Sequence, residues 1–568
     1  MTDSAAPTEQ LLKQGLFHHR QGEIAQAMDH YTQILRNDPT NVEALYYVAL
    51  VACQEGQFQQ GIDLAKRALS LGQPQARLHN LIGKAHERLK QFAEAARAYD
   101  AAIAVDPNFA EAHGNRANLA AHAGIPEEAL KSFDRALALA PTASEDWVNR
   151  GALLHELGRY AEALESFDKA LMLAPDEPHF LINRANTLVM LGRLEEADAV
   201  YEQVIMRKPK MYQAYLQKGL TAKYRCNFDE ARTLIEHART LASDEPAPKE
   251  ALAEIMLLTG DWRPAWPLYE AREGRPQLPD VPPWRGEPAG PFRLVLLSEG
   301  RVADCVMFAR YAALMAGRGY DVTLLTRREL VPLLSSLPKV ERVTDNPAAL
   351  ANDKRPMIQF PLQSVMGAMH LTPDTVPQQC PYLSVPQDRV AAWAEKLAGM
   401  DMKVGICWQG EATGVPLADF APLAHLRGVR LIALHTQGVL RATAPVPFAA
   451  HIERPLAEVE VKADTMLDVA AVIANVDLVI GIDALPIHIA GALGKPAWLA
   501  LPQVPGWHWL LERSDSPWYP NLRLFRQDEP GQWAPVFADI AHALRDKLSE
   551  HRSDHAGEHT NASKPDGH

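Results

Sequence analysis

"DWVNRGALLHELGRYAEALESFDKALMLAP", residues 146–175, reads as two helical apolar periods joined by a short polar turn and closed by a proline. Trp147 supplies bulk, Gly151 a close contact, Ala163, Phe167 and Ala170 the packing surface of the second helix, and Pro175 the stop. Neither helix can bury its apolar face alone, so the unit needs neighbours of its own kind. The neighbours are visible as recurring prolines, Pro39, Pro74, Pro107, Pro141, Pro175 and Pro209, spaced by 35, 33, 34, 34 and 34 residues.

A 34-residue period of helix pairs resembles the tetratricopeptide repeat. The resemblance places an α-solenoid over residues 1–249, with capping helices and a linker over 250–291. The first helix of each pair lines a concave groove in such a stack. Its sixth position holds Asn115, Asn149 and Asn183 in successive repeats, then Gln217. An amide both donates and accepts, so a column of amides can pair with an extended polypeptide backbone without reading its side chains. The column is similar to the asparagine ladder of the O-GlcNAc transferase superhelix. The other reading is that these amides are solvated groove residues. Earlier repeats break the pattern with Leu81, Tyr47 and Lys13.

At 568 residues the chain exceeds one hydrophobic core, so two or more domains are expected. A net charge of -13 argues against a broad nucleic-acid-binding surface. The five cysteines, Cys53, Cys226, Cys305, Cys380 and Cys407, are scattered without CxxC spacing, which argues against a zinc site and for a reducing compartment. "MTDSAAPTEQ" carries no signal-peptide pattern, and the apolar stretch 466–502 is interrupted by Asp477, Asp483, Pro486, His488 and Lys495. No membrane span is expected, and the cytoplasm is the expected location.

"REGRPQLPDVPPWRGEPAGP" (272–291) holds six prolines and cannot continue a helix, so it is a linker or an extended strap. Beyond it the period changes. "FRLVLL", "DCVMFARYAALMAGRG" and "DVTLLTR" alternate strand and helix, and the pattern restarts at "KVGICW" (403–408), "VRLIALHT" (429–436), "DLVIGID" (477–483) and "PAWLAL". This is βαβ order and predicts parallel sheets in two Rossmann-like halves, 292–398 and 399–549. The tail, 550–568, is polar and expected to be disordered. The fold class is therefore α + α/β, a helical solenoid followed by paired α/β domains. Ligands of open α/β sheets bind beyond the carboxyl ends of strands, and Asp483 stands at such an end.

"SEGRVADCVMFARYAALMAGRGYDVTL", "PYLSVP", "VGICWQG", "DALPIHIAGALGKPAW" and "WHWLLERSDSPWYPNLRLFRQ" together resemble a GT-B glycosyltransferase related to the bacterial heptosyltransferases, glycosyltransferase family 9. The resemblance implies an acceptor-side half (292–398), a nucleotide-sugar half (399–549), and metal-independent, inverting transfer of a sugar from a nucleotide donor. It implies that Trp408, Gln409, Gly410, Asp483 and Ala484 bind the donor. His488 would stand at the leaving phosphate and Asp304 would be the catalytic base, a carboxylate suited to take the proton of the acceptor hydroxyl. Arg523 and Arg526 match basic positions without an assigned role. No resident cofactor or metal is implied. Within this architecture the bacterial flagellin-modifying transferases are similar. They imply flagellin as a polypeptide partner held by the repeats, and a CMP-activated nonulosonic acid as donor.

The sequence also departs from that family. Arg301-Val302-Ala303 stands where two glycines are expected before Asp304, and Ala484 replaces a hydroxyl residue. The segment after "CWQG" is short ("EATGVPLADF"), so a basic donor contact is expected to be missing. Two alternatives stay open: a repeat scaffold carrying a degenerate GT-B half, and a transferase acting on a glycan or lipid-linked acceptor. Residue by residue, Asp483 and Asp304 can be read as helix caps, His488 as a core histidine, and Trp507, Trp509, Trp518 and Tyr519 as structural aromatics.

Overall fold

The computed structural model describes residues 5–72, 74–350, 355–411, 414–436 and 445–561. The chain forms two compact units, Met1–Thr221 and Ala222–His568.

The first unit is a tetratricopeptide-type solenoid. Helix Ser144–Glu156, a three-residue turn, helix Tyr160–Leu173 and a four-residue loop before Pro178 complete one 34-residue repeat. The paired helices approach closely because the first carries glycine where the second carries a ring. A Cβ on Gly151 would lie 2.8 Å from Phe167, one on Gly83 2.4 Å from Tyr99, and one on Gly15 2.6 Å from Tyr31. Gly151→Ala is therefore expected to cost about 1–3 kcal/mol by overpacking. Far-UV circular dichroism of thermal unfolding checks this; a transition identical to wild type contradicts the packing account. The turn within the pair needs a left-handed residue, supplied by Gly158 (φ +73°) and in another repeat by Lys90 (φ 59°).

A charge ladder with the repeat's own period joins each first helix to the second helix before it. Arg116 Nε donates to Asp100 (3.0 Å), Arg150 Nε to Asp134 (2.8 Å), Arg184 Nε to Asp168 (2.6 Å) and Lys218 Nζ to Glu202 (2.7 Å). The acidic partners are exposed, so each pair contributes at most about 1 kcal/mol.

In the second unit, helices Phe228–Leu241, Pro246–Leu258 and Trp262–Tyr269 precede two parallel sheets. These three helices thus belong to the same compact unit as the sheets. The physical reason is aromatic packing. Trp262 stacks on Trp518, Trp266 meets Trp507 edge-on, and Trp266 Nε1 donates to the Leu371 carbonyl at 2.9 Å. The proline-rich segment is a strap. Gln359 holds it through Leu278 N–H and the Leu278 and Val281 carbonyls, and the Trp284 ring packs against Phe360.

The first sheet has the order β3-β2-β1-β4, with β1 Arg293–Leu297, β2 Asp321–Leu325, β3 Arg342–Thr344 and β4 Met357–Pro361. The second has the order β10-β9-β8-β5-β6-β7, with β5 Met402–Cys407, β6 Val429–Ala433, β7 Ile452–Glu453, β8 Leu478–Gly481, β9 Ala497–Leu501 and β10 Leu522–Arg526. All these pairings are parallel, and β1, β8 and β9 are buried along their whole length, as strands covered on both faces must be. The order of the second sheet reverses between β5 and β8, which opens a crevice at their carboxyl ends. Helix Ala534–Asn561 runs past residue 550, so 550–561, read from composition as disordered, continues a helix; 562–568 lie outside the described residues. Among the described residues no helix is long and apolar enough to cross a membrane.

Candidate functional site

Helix Val302–Phe308 begins four residues after β1, and helix Leu485–Ala492 begins three residues after β8. The two helices pack on each other, which brings residues 301–304 up to 483–486. Between them and the segment after β5 lies a cavity of about 350 Å³, lined by Arg301–Ala303, Glu329, Gln409–Glu411, Leu434–Thr436, Met466, Val469 and Asp483–Pro486.

Asp483 is the hub of this site. It is not a helix cap, since the N-cap of the following helix is Ala484, which makes no side-chain capping bond. Its Oδ1 accepts from His488 Nε2 at 2.9 Å, and its Oδ2 accepts from Arg301 Nη1 and Nη2, each at 3.2 Å. His508 Nε2 stands 3.4 Å from the same Oδ2, an electrostatic contact without hydrogen-bond alignment. Burial alone would raise the carboxyl pKa, but His488 and His508 hold it well below the usual carboxylate range.

His488 has no exposed surface and does not line the cavity. Its Nδ1 pairs with Tyr519 Oη at 3.1 Å, and burial lowers its pKa. The two partners assign the proton to Nε2, facing the carboxylate, with Nδ1 accepting from the phenol. The contact with a leaving phosphate expected for His488 is corrected accordingly: the ring is enclosed by its own partners, and it positions Asp483 instead.

Asp304 sits in the first turn of helix Val302–Phe308 and, like His488 and Trp408, is not among the residues that line the cavity, from which it is separated by its pairing with Arg301. It accepts from Arg301 N–H (3.1 Å), Arg301 Nε (3.1 Å) and Arg301 Nη2 (2.7 Å). Arg301 therefore bridges Asp304 and Asp483. Sequence reasoning treated Arg301 only as a lost glycine, and the structure shows a gained guanidinium. The need for a flexible residue in this turn is met one position earlier by Gly300, at φ +77°.

Gln409, Gly410 and Ala484 line the cavity, whereas Trp408 does not. Trp408 is buried and supports the loop, its N–H donating to His435 Nε2 at 3.0 Å. His435, which sequence reasoning missed, lines the cavity and is pushed down to about 4 by burial. Its only sequence signal is a polar residue closing the strand "VRLIALHT". Arg526 is also placed. It donates to the Arg513 carbonyl (3.0 Å) and the Trp509 carbonyl (2.8 Å), fixing the loop that carries His508 to Asp483. The short segment after Gly410 includes Ala412 and Thr413, which lie outside the described residues.

In the solenoid, Asn115, Asn149, Asn183 and Gln217 occupy the sixth position of their helices and are half-buried. Asn115 Nδ2 donates to Asn80 Oδ1 of the preceding repeat at 2.9 Å. Asn80, which the sequence period passed over in favour of Leu81, extends the amide column by one repeat. Asn115 also borders a groove cavity of about 460 Å³ whose lining includes Leu50, Phe58 and Leu81.

Tetratricopeptide-repeat family models match residues 18–85, 80–144 and 154–223. The N-terminal region is thus a run of tetratricopeptide repeats. Protein FlbA of Caulobacter vibrioides is 30% identical over 329 residues, 52% of this chain and 54% of that protein, so the chain spans about half the length of the curated relative it matches. Among solved structures, a tetratricopeptide repeat protein from Parabacteroides merdae aligns over 44% of this chain and all of its own, at 18% identity and a TM-score of 0.34. Pseudomonas aeruginosa pilF aligns over 38% of this chain and 97% of its own, at 21% identity and a TM-score of 0.34. YrrB, described as a TPR protein with an unusual peptide-binding site, aligns over 33% of this chain and 96% of its own, at 20% identity and a TM-score of 0.30.

Proposed function

We propose that the chain is a GT-B glycosyltransferase that moves a sugar from a nucleotide donor to a polypeptide held by its repeats. The single observation that carries this reading is the cavity at the switch point of the second sheet, where the loops after β5 and β8 face the helix start after β1. Two parallel sheets contributing their carboxyl ends to one cavity give a donor side and an acceptor side. The amide column of the repeats supports an extended peptide as acceptor. Flagellin and a CMP-activated nonulosonic acid are the acceptor and donor that the sequence resemblance favours.

In this reading the acceptor hydroxyl attacks the anomeric carbon as its proton passes to Asp304, and the nucleotide phosphate departs. Asp483 acts through Arg301, which it holds at the edge of the cavity. His488 orients Asp483 and touches neither reactant. The test is intact-mass spectrometry of flagellin incubated with the full chain and a CMP-nonulosonic acid. A mass increase of whole sugar residues, absent in Asp304→Asn, is expected. Unmodified flagellin, with the sugar entering glycan or lipid instead, replaces the polypeptide acceptor with the second enzyme reading.

One observation favours the scaffold reading. Asp304 and Asp483 are both ion-paired to Arg301, so the carboxylate offered as the base is already engaged by a cation. In a scaffold the pairing would persist with any nucleotide present, and no acceptor would be modified.

A further inference from the structure

Arg301 is the only lysine or arginine among the described residues lining the cavity, where the acidic side chains are Glu329, Glu411 and Asp483. Among the described lining residues an anionic ligand would find no other lysine or arginine. Yet the guanidinium is committed to Asp304 and Asp483, and both of those carboxylates have other donors. Asp483 keeps His488 at 2.9 Å, with His508 at 3.4 Å, and Asp304 keeps the Arg301 backbone N–H at 3.1 Å. Arg301 can leave either carboxylate without stripping it of partners. Exchanging one oxyanion for another preserves the forked hydrogen-bond geometry that guanidinium favours. A carboxylate already stands beside it: Glu411, exposed on the loop after β5, accepts from Val302 N–H at 3.0 Å.

We propose that Arg301 is the anion-recognising residue of the cavity, exchanging Asp304 for a phosphate or carboxylate oxygen of the ligand while Asp483 keeps the guanidinium in place, and thereby releasing Asp304 to act as a base. The inference rests on the reading of this cavity as a sugar-donor site. The exchange couples donor binding to catalysis. With the donor absent, Asp304 stays paired. With it bound, Asp304 takes the acceptor proton as the acceptor oxygen bonds to the anomeric carbon. The bond from that carbon to the phosphate oxygen breaks, and its electron pair leaves with the nucleotide, held by Arg301. Glu411 competes with the incoming anion.

Calorimetric titration of the full chain with CMP, N-acetylneuraminate and cytidine tests this. CMP carries the phosphate, N-acetylneuraminate the carboxylate, and cytidine neither, so the probe that responds identifies the source of the anion. The responding probe is expected to bind about tenfold or more weakly to Arg301→Gln, with partial recovery in Arg301→Lys. Glu411→Gln, at an exposed position, is expected to bind it a few-fold more tightly. Cytidine should be indifferent to all three substitutions. The proposal is overturned if Arg301→Gln and Glu411→Gln bind both anions as the wild type does, or if the wild type binds neither. Arg301-dependent binding without sugar transfer to any acceptor keeps the inference and removes the transferase reading.

Discussion

Asp483→Asn is expected to destabilise the second unit by about 3 kcal/mol and to abolish ligand binding in the cavity. The carboxylate is nearly enclosed and takes donors from two other segments, His488 of the helix that follows it and Arg301 of the turn after β1, with His508 close by. An amide presents one acceptor oxygen where two are used, and turns an N–H₂ group toward groups that donate. Arg301 then keeps Asp304 alone. Urea unfolding followed by tryptophan fluorescence reads the effect in the correct unit, because ten of the eleven tryptophans lie beyond residue 221. Asp304→Asn should cost less, since Asp304 takes all its side-chain hydrogen bonds from the neighbouring Arg301. Equal destabilisation by the two variants would contradict the role of Asp483 as hub. The same pairing gives an acid limb: a carboxyl held below its unfolded value stabilises above that value, and the contribution is lost as pH falls through the folded one.

The second large effect is expected at higher pH and belongs to His435. Burial pushes it down to about 4, whereas the unfolded chain takes its proton near 6.5. Between those values the unfolded state binds more protons, so stability falls as pH falls from about 6.5 to 4 and this contribution levels off below. The full loss is roughly 3 kcal/mol. His488 is shifted in the same direction and adds to the slope. His435→Gln keeps an acceptor within reach of Trp408 N–H and removes one titrating ring. Its fluorescence-monitored unfolding midpoint is expected to depend less on pH across this window. A slope equal to that of the wild type would place the buried neutral ring elsewhere.

Much of this architecture was legible from the chain, because repeat packing leaves a periodic record. The small residue facing the second helix recurs every 34 residues, as Gly15, Ala49, Gly83, Ala117, Gly151 and Ala185, so spacing alone exposed the solenoid. The alternation of βαβ segments exposed the parallel sheets in the same way. The end of the solenoid was less legible: Trp262 and Trp266 keep the helical spacing of a repeat, but their partners Trp507 and Trp518 are more than two hundred residues away. The site was legible in its positions and less so in its roles. Asp483 and His488 were found by their spacing, yet which of them meets the cavity depends on burial. Arg301 and His435 escaped notice because each meets a partner distant in the chain, Asp483 and Trp408 respectively. A substitution that removes a glycine shows as a loss in one dimension, and its gained side chain has meaning only beside Asp483.

The most direct test of the central claim is titration of the full chain with UDP-, GDP-, ADP- and CMP-sugars and their parent nucleotides, with and without the candidate acceptor. The account predicts saturable binding of one nucleotide class, retained in Ala143→Ser at the solenoid and lost in Asp483→Asn. Absence of binding in every pairing, with the second unit folded by near-UV circular dichroism, would contradict it and leave a repeat scaffold with a closed ion pair in place of a donor site.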